Sequence, residues 1–500
     1  MIKNALRQFF TYGAGNIAQS ALNLILLPLF LRLFEPAQYG VISLLLVTSS
    51  FLAAFASLGI GTGLFRLYYE AKPGERKKLV GTTWLWLLFT ATLGLIVLST
   101  QAPHLSKLLF HVENYSHSIV LLGAFFFFSF IGDMPFSIFR IEQKASYYVG
   151  FSLLRFIIDF ALKLSFIAFL GRGINGYFEA GILAYIITLC LMVPFILKYV
   201  SFSLNSSYLK QLLRLGFPYV FSGFAVWILT VSDRYILNQF KGAAEVGIYS
   251  LGYSFANIFD TLLTAPSALF WAPFFFSYAA ERSAEDTKRL LNKSLIYFLL
   301  VGGMLYLIIS LGAGDLLRAL TFLFAAKPEY HQATTFVPVL TLGLFFYLLS
   351  RQATNAMLMA KKPEYGAIAV SIAAAVNLGL NLILIPRFGV WGAAIDAVIA
   401  YALIDLLSYW WAQRIWHVNY DWKIVVKAFL FMAIAFIIGW NIKIEYSWAS
   451  LISRLAAALG IFGLLSWFFI LTTEERDMFH AYLAEARGKV AKILRRSSLP

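Results

Sequence analysis

Four bases, Arg155, Lys163, Arg234 and Arg351, stand inside long apolar runs of this 500-residue sequence, with seven acids, Asp133, Asp159, Glu179, Asp233, Asp260, Asp396 and Asp405. In hydrocarbon each such charge costs about 3 kcal/mol or more, so each must face a partner or a wet cavity. Arg155, Asp159 and Lys163 are spaced four apart, which lines them along one helix face. One acid cannot neutralise two bases, so this face either meets an anion or clamps the helix to a neighbour as a ladder. Arg234 and Arg351 are the other two cations available to an anion. Asp233 and Arg234 lie near the end of their run, which also fits an interfacial pair; Glu179 and Asp396 lie near run ends too. Asp260 has no base within a helical turn, which suits a titratable or cation-binding acid unless Arg351 reaches it from another helix. Asp159 and Asp396 are the further candidates for coupling to an ion. Asn16, Gln19 and Asn23 fall at i, i+3 and i+7 on one face, suited to lining a polar cavity or to bonding between helices. Asn377 and Asn381 are similarly placed in a later run. There is no metal-ligand spacing, no phosphate-cradling glycine loop and no nucleophile elbow, so neither a catalytic residue, a cofactor nor an ATPase site is implied.

The elements that must position these groups are membrane helices. The chain is 60% apolar and 13% charged, against roughly 25% charge in a soluble protein. Six apolar runs lie between Phe9 and Leu197, six between Leu212 and Ala412, and two between Ile424 and Leu471. Each has the ~20 residues needed to cross a ~30 Å hydrocarbon layer. The fold class expected is therefore an all-α polytopic membrane protein of about fourteen transmembrane helices. The first run lies behind Lys3 and Arg7 as a signal peptide would, but it continues past the small residues near Ser20 and reads as a span. The single Cys190 excludes an internal disulfide.

An internal repeat organises the runs. PLFLRLFEPAQYGVISL, from Pro28 to Leu44, is echoed by DRYILNQFKGAAEVGIYSL, from Asp233 to Leu251, so that Gly40-Val-Ile-Ser-Leu and Gly247-Ile-Tyr-Ser-Leu stand 207 positions apart. Gly173-Ile-Asn-Gly176 with Ala184-Tyr185 recurs 216 positions on as Gly389-Val-Trp-Gly392 with Ala400-Tyr401, and Lys144 and Tyr148 recur as Lys361 and Tyr365. The shared spacing predicts two copies of one unit in the same order. That divides the chain into an N-lobe, 1–200, a C-lobe, 201–420, and a last part, 421–500, with two helices and a basic tail. The tail from Glu474 repeats apolar residues at helical spacing against Arg and Lys, which suits an amphipathic helix on an anionic leaflet or a solvated basic tail.

The net charge of +15 raises the question of a nucleic-acid partner. Counted over alternate loops, 27 of the 40 Lys and Arg fall on one side and nine on the other. This bias predicts both termini in the cytoplasm and absorbs most of the positive charge without nucleic acid.

The segments SDRYILNQFKGAAEVGIYSLGYSF and NLGLNLILIPRFGVWGAAIDAVIAYAL, with LPLFLRLFEPAQYGVISL and GIGTGLFRLYYE, resemble the Wzx-type polysaccharide flippases of the multidrug/oligosaccharidyl-lipid/polysaccharide (MOP) exporter superfamily. The resemblance implies two six-helix lobes that open alternately to either face of a bacterial cytoplasmic membrane. It implies a cationic central cavity for the pyrophosphate and sugars of an undecaprenyl-linked oligosaccharide, driven by a proton or sodium gradient or the membrane potential, and a polysaccharide polymerase as a downstream partner. A drug/cation antiporter and a lipid II flippase of the same superfamily are the neighbouring alternatives. A membrane glycosyltransferase, polymerase or ligase is a different class, and would be expected to carry a larger outer loop than 101–117 or 314–334 supplies. Seven intramembrane acids against four bases depart from a simply cationic cavity.

Overall fold

A computed structural model describes residues 27, 28, 30–442, 444 and 447–477, and all regular secondary structure among them is helical. The helices are α1 (Pro36–Ser57), α2 (Ile60–Glu70), α3 (Pro73–Thr100), α4 (Ala102–Phe110), α5 (Ser116–Gly132), α6 (Met134–Ile141), α7 (Ala145–Lys163), α8 (Gly173–Ile196) and α9 (Ser206–Lys241). They continue as α10 (Ala243–Phe259), α11 (Ala265–Glu281), α12 (Ala284–Phe324), α13 (Val337–Met359), α14 (Glu364–Phe388), α15 (Val390–Ile415), α16 (Trp422–Asn441) and α17 (Ser447–Phe469). Asn16, Gln19, Asn23 and the basic tail beyond residue 477 lie outside the described residues.

Nine helices among the described residues are long and apolar enough to cross a membrane, or up to eleven if each of two bent pairs is one span. This makes the chain a multi-pass membrane protein. Outside that number stand three of the expected fourteen runs: the first, mostly undescribed; α7, which carries Arg155, Asp159 and Lys163; and α10–α11. In both α7 and α10 the α-helical ladder gives way to a π-helical turn, at Leu164–Phe169 and Asp260–Thr264, directly after Lys163 and at Asp260 itself. Such turns redirect side chains and recur at functional sites. The stretch 314–334, read from sequence as an outer loop, is instead helical to Phe324 and resumes as a 3₁₀ turn at Pro328–Thr335.

The chain forms two compact units. One comprises 1–281 and 317–417, the other 282–316 and 418–500. In the second, α16 and α17 pack with the first part of α12, and Arg454 pairs with the buried Asp315 at 3.2 Å while donating to the Ile442 carbonyl at 2.7 Å. Asp315 falls in the stretch 314–334 read from sequence as an outer loop, and Arg454, inside the last apolar run, was counted with the outer-side bases.

The first unit contains the repeat. Helices α1 and α10 are equivalent elements of its two halves, and they lie against each other at Gly40 and Gly247. A Cβ on Gly40 would overlap the Ala243 carbonyl oxygen, and one on Gly247 would overlap the Pro36 carbonyl oxygen, so backbone meets backbone. One turn on, the Ser43 and Ser250 hydroxyls share a 2.7 Å hydrogen bond, again between residues 207 apart. A pseudo-twofold axis passes between them. The other echo is structural too: Gly173 and Gly389, at the starts of α8 and α15, have φ of +55° and +57°, positive values that glycine adopts at little cost.

Candidate functional site

Between the repeat halves lies a cavity of about 690 Å³. Apolar residues of α1 and of the segment just ahead of it form most of its apolar wall, with Val231, Ile258 and Leu262 completing it; Ser43, Ser50, Ser250, Ser254, Asn257 and Thr261 supply hydrogen-bonding groups, and Tyr177 enters from α8. Among the described residues lining it, Arg234 is the one cation. Such a site can hold an amphiphile by its apolar wall and fix a polar, anionic part at one point.

Helix α9 delivers Arg234 and then encloses it. Its guanidinium donates to the Thr230 carbonyl at 2.8 Å, pairs with Asp233 at 3.4 Å and lies over the rings of Tyr253, at 4.6 Å, and Tyr249, at 5.6 Å. The Tyr249 hydroxyl donates to the other Asp233 oxygen. Asp233 and Arg234 are 5% and 6% exposed, so the interfacial pair expected from their place near a run end is a buried one. Position along a span reports depth in the membrane and says nothing of whether the side chain faces lipid or protein.

The same layer continues into a second polar cluster. Asp396 of α15 is fully buried and accepts from the Asn377 amide of α14 at 2.5 Å, and the Ser232 hydroxyl donates to the Asn377 oxygen at 3.3 Å. The second Asp396 oxygen and both polar atoms of the buried Asn381 have no hydrogen-bond partner among the described residues. Helices α14 and α15 thus present uncommitted polar atoms in the neighbourhood of Asp233, which is close enough to act on Asp396 electrostatically. Buried groups left so are costly unless something else satisfies them.

The ladder on α7 is divided between two acids. Lys163 pairs with Asp159 at 2.7 Å, while Arg155 reaches across to Asp133, between α5 and α6, at 3.0 Å. The face is therefore neutral, where one acid against two bases had been expected. Asp133 was counted among the intramembrane acids, but helical spacing cannot show a partner from another helix. Arg155 also lies over the Phe136 and Tyr185 rings, and Lys163 over Tyr177 at 4.0 Å, so Lys163 abuts the cavity wall from the first half. Asp260 is half-buried on its π-turn and feels the charge of Arg351. Arg351 itself is exposed, with its guanidinium over Tyr347 at 5.2 Å. Neither lines the Arg234 cavity.

These surroundings rank the α7 pairs. Asp159→Asn strands Lys163, which is 9% exposed, and should cost about 3 kcal/mol. Asp133→Asn should cost less, because the Arg155 it strands is 21% exposed, belongs to a pair whose acid is 62% exposed, and keeps its Phe136 and Tyr185 rings. Thermal unfolding of the detergent-solubilised variants checks the order, and equal losses would refute it.

Near Phe34 and Tyr39 of its lining, contacts join the two repeat halves. Glu35 caps α1, pairs with Lys327 at 3.3 Å, and precedes the Gly40–Gly247 contact. Tyr330 stacks edge-on to Tyr39 and donates to the Phe34 carbonyl at 3.2 Å. Farther in, the Thr48 and Tyr235 hydroxyls bond at 2.7 Å.

A family model described as polysaccharide biosynthesis protein matches residues 5–279. The uncharacterized membrane protein MJ1068 of Methanocaldococcus jannaschii is 27% identical over 111 residues, 22% of this chain and 22% of that protein, so the match spans about a fifth of the relative. Among solved structures, the lipid II flippase MurJ in an inward closed conformation superposes with a TM-score of 0.75 at 16% identity, over 96% of this chain and 100% of that one. An inward-facing multidrug resistance MATE family transporter of the MOP superfamily gives 0.65 at 17%, over 84% and 95%. At such identities the likeness is one of fold.

Proposed function

We propose, since this chain belongs to the polysaccharide biosynthesis protein family, that it flips undecaprenyl-pyrophosphate-linked oligosaccharide repeat units across the bacterial cytoplasmic membrane by alternating access and supplies a polysaccharide polymerase. The observation that carries this reading is the cavity at the repeat interface, in which Arg234 is the one cation among the described lining residues. Arg234 would meet the pyrophosphate, the hydroxyl and amide groups of α1 and α10 the sugars, and the apolar wall the first isoprene units. Both termini would be cytoplasmic, with the Glu35–Lys327 end on the outer side, and the 1–200 and 201–420 lobes would rock about the α1–α10 contact.

Coupling would run through Asp396. A proton or sodium ion taken up among Asp396, Asn377, Asn381 and Asp233 relieves repulsion between the two carboxylates. That changes how firmly Asp233 holds Arg234, and thereby links ion occupancy to the substrate's charge. Asp159 is committed to Lys163 and Asp260 lies under the influence of Arg351, so both are weaker candidates for this role.

Proteoliposomes holding the purified chain and a lipid-pyrophosphate oligosaccharide test both parts. Oligosaccharide loaded on the inside should become open to an external glycosidase, faster under an imposed ion gradient, and Asp396→Asn should remove the gradient's effect. Movement of a cationic drug without the lipid would establish the antiporter reading instead. Cleavage of the sugar from its lipid without translocation would establish an enzyme.

A further inference from the structure

A second cavity, of about 630 Å³, lies away from the first, at the other ends of α13, α14 and α15. Lys362, Tyr365, Trp411, Arg414 and Trp416 line it. The Arg414 guanidinium lies over the Trp410 ring at 4.0 Å, Lys362 over Tyr365 at 6.0 Å, and the Tyr365 and Trp411 rings meet at 5.6 Å.

The repeat places the same chemistry in the first half. Lys144 donates to the Tyr199 hydroxyl and lies 4.8 Å over its ring, with Lys198 over that ring at 5.3 Å. The turns match bond for bond: Lys144 N–H reaches the Phe139 carbonyl at 2.8 Å and Lys362 N–H that of Met357 at 2.9 Å, after left-handed Gln143 and Lys361. Both are helix-ending turns of the Schellman type. Lys198 and Arg414, and Tyr199 and Trp416, stand 216 and 217 positions apart. None of Lys144, Lys198, Lys362 and Arg414 is in an ion pair among the described residues.

We infer that these two clusters are pseudo-equivalent sites for the phosphate headgroups of anionic phospholipids, one on each half and both in the same leaflet. Two cations converge in each, and a phosphodiester supplies the oxygens that they lack. The depth argues for lipid: Trp410 is 47% and Tyr147 45% exposed at the ends of membrane helices, where such rings sit at headgroup level. Basic pockets between helix ends on the positive side suit anionic headgroups, and all four cations fall in the loop set that holds 27 of the 40 bases.

Native mass spectrometry of the delipidated full chain, with phosphatidylglycerol or phosphatidylcholine added, tests this. The wild type should retain two phosphatidylglycerols and no phosphatidylcholine. Lys362→Gln with Arg414→Gln should retain one, and adding Lys144→Gln with Lys198→Gln should leave none. The charge-keeping pair Lys362→Arg with Arg414→Lys should retain two and controls for folding. Retention of phosphatidylglycerol by the quadruple variant, or equal retention of phosphatidylcholine, would overturn the inference. Displacement of the lipid by millimolar inorganic phosphate would do so too, assigning the sites to a soluble anion.

Discussion

Gly247→Val should abolish transport and leave the cavity open at its Glu35 end, in a protein that still folds. A Cβ on Gly247 would overlap the Pro36 carbonyl oxygen and crowd the Gly40 amide nitrogen, both backbone atoms, so neither can rotate away from a new side chain. The state in which α1 and α10 touch here is the one that suffers, because they belong to different repeat halves whose own packing does not involve this contact. An overpacking cost of about 3 kcal/mol, borne by one state only, shifts the equilibrium between the two on the order of a hundredfold. The measurement is the reaction of an impermeant thiol reagent with Asn257→Cys in a Cys190→Ser background, read beside glycolipid translocation. The reagent should gain access from the Glu35 side in proportion as translocation falls. Gly40→Val should behave alike, since the two glycines are mates across the axis. Unchanged labelling together with normal translocation would mean that this contact does not gate.

The repeat was legible in the sequence for a physical reason: Gly40, Ser43, Gly247 and Ser250 sit on the axis itself, where any bulkier residue would collide with its own mate. Repeated chemistry at the helix ends was legible likewise, since Lys144 and Lys361 mark the same turn, although the turn geometry makes Lys362 the equivalent of Lys144. The partners of the intramembrane charges were not. Period and spacing place Arg155 beside Asp159, but only packing brings Asp133 to it. Proximity to a run end made Asp233 and Arg234 look interfacial, whereas Tyr249 and Tyr253 from the next helix cover them. Asp396 could be named as an ion-coupling acid, yet its setting beside Asn377, Asn381 and Ser232 depends on three helices meeting. Asp315 and Arg454 escaped notice because α12 runs on through a stretch whose charges look like a loop's.

Arg234→Gln should lower translocation of a pyrophosphate-linked glycan at least a hundredfold, and a double change should show why. Arg234 holds two positions at once, as partner to the buried Asp233 and as the cation facing the cavity. Removing it alone leaves Asp233 charged, buried and close to Asp396, at a cost of about 3 to 5 kcal/mol, so loss of transport by the single variant could reflect damage to the fold. Asp233→Asn with Arg234→Gln removes both charges, and the Tyr249 hydroxyl can still donate to the amide oxygen that takes the place of the carboxylate. Thermal stability should therefore return to near that of the wild type, while translocation stays as low as in the single variant, because no cation is then left among the described residues lining the cavity to meet the pyrophosphate. Asp233→Asn alone should be less damaging to binding, since Arg234 keeps its charge, its Thr230 carbonyl and its two rings. If the double variant recovers translocation along with stability, Arg234 is a structural clamp and the anion must be held elsewhere.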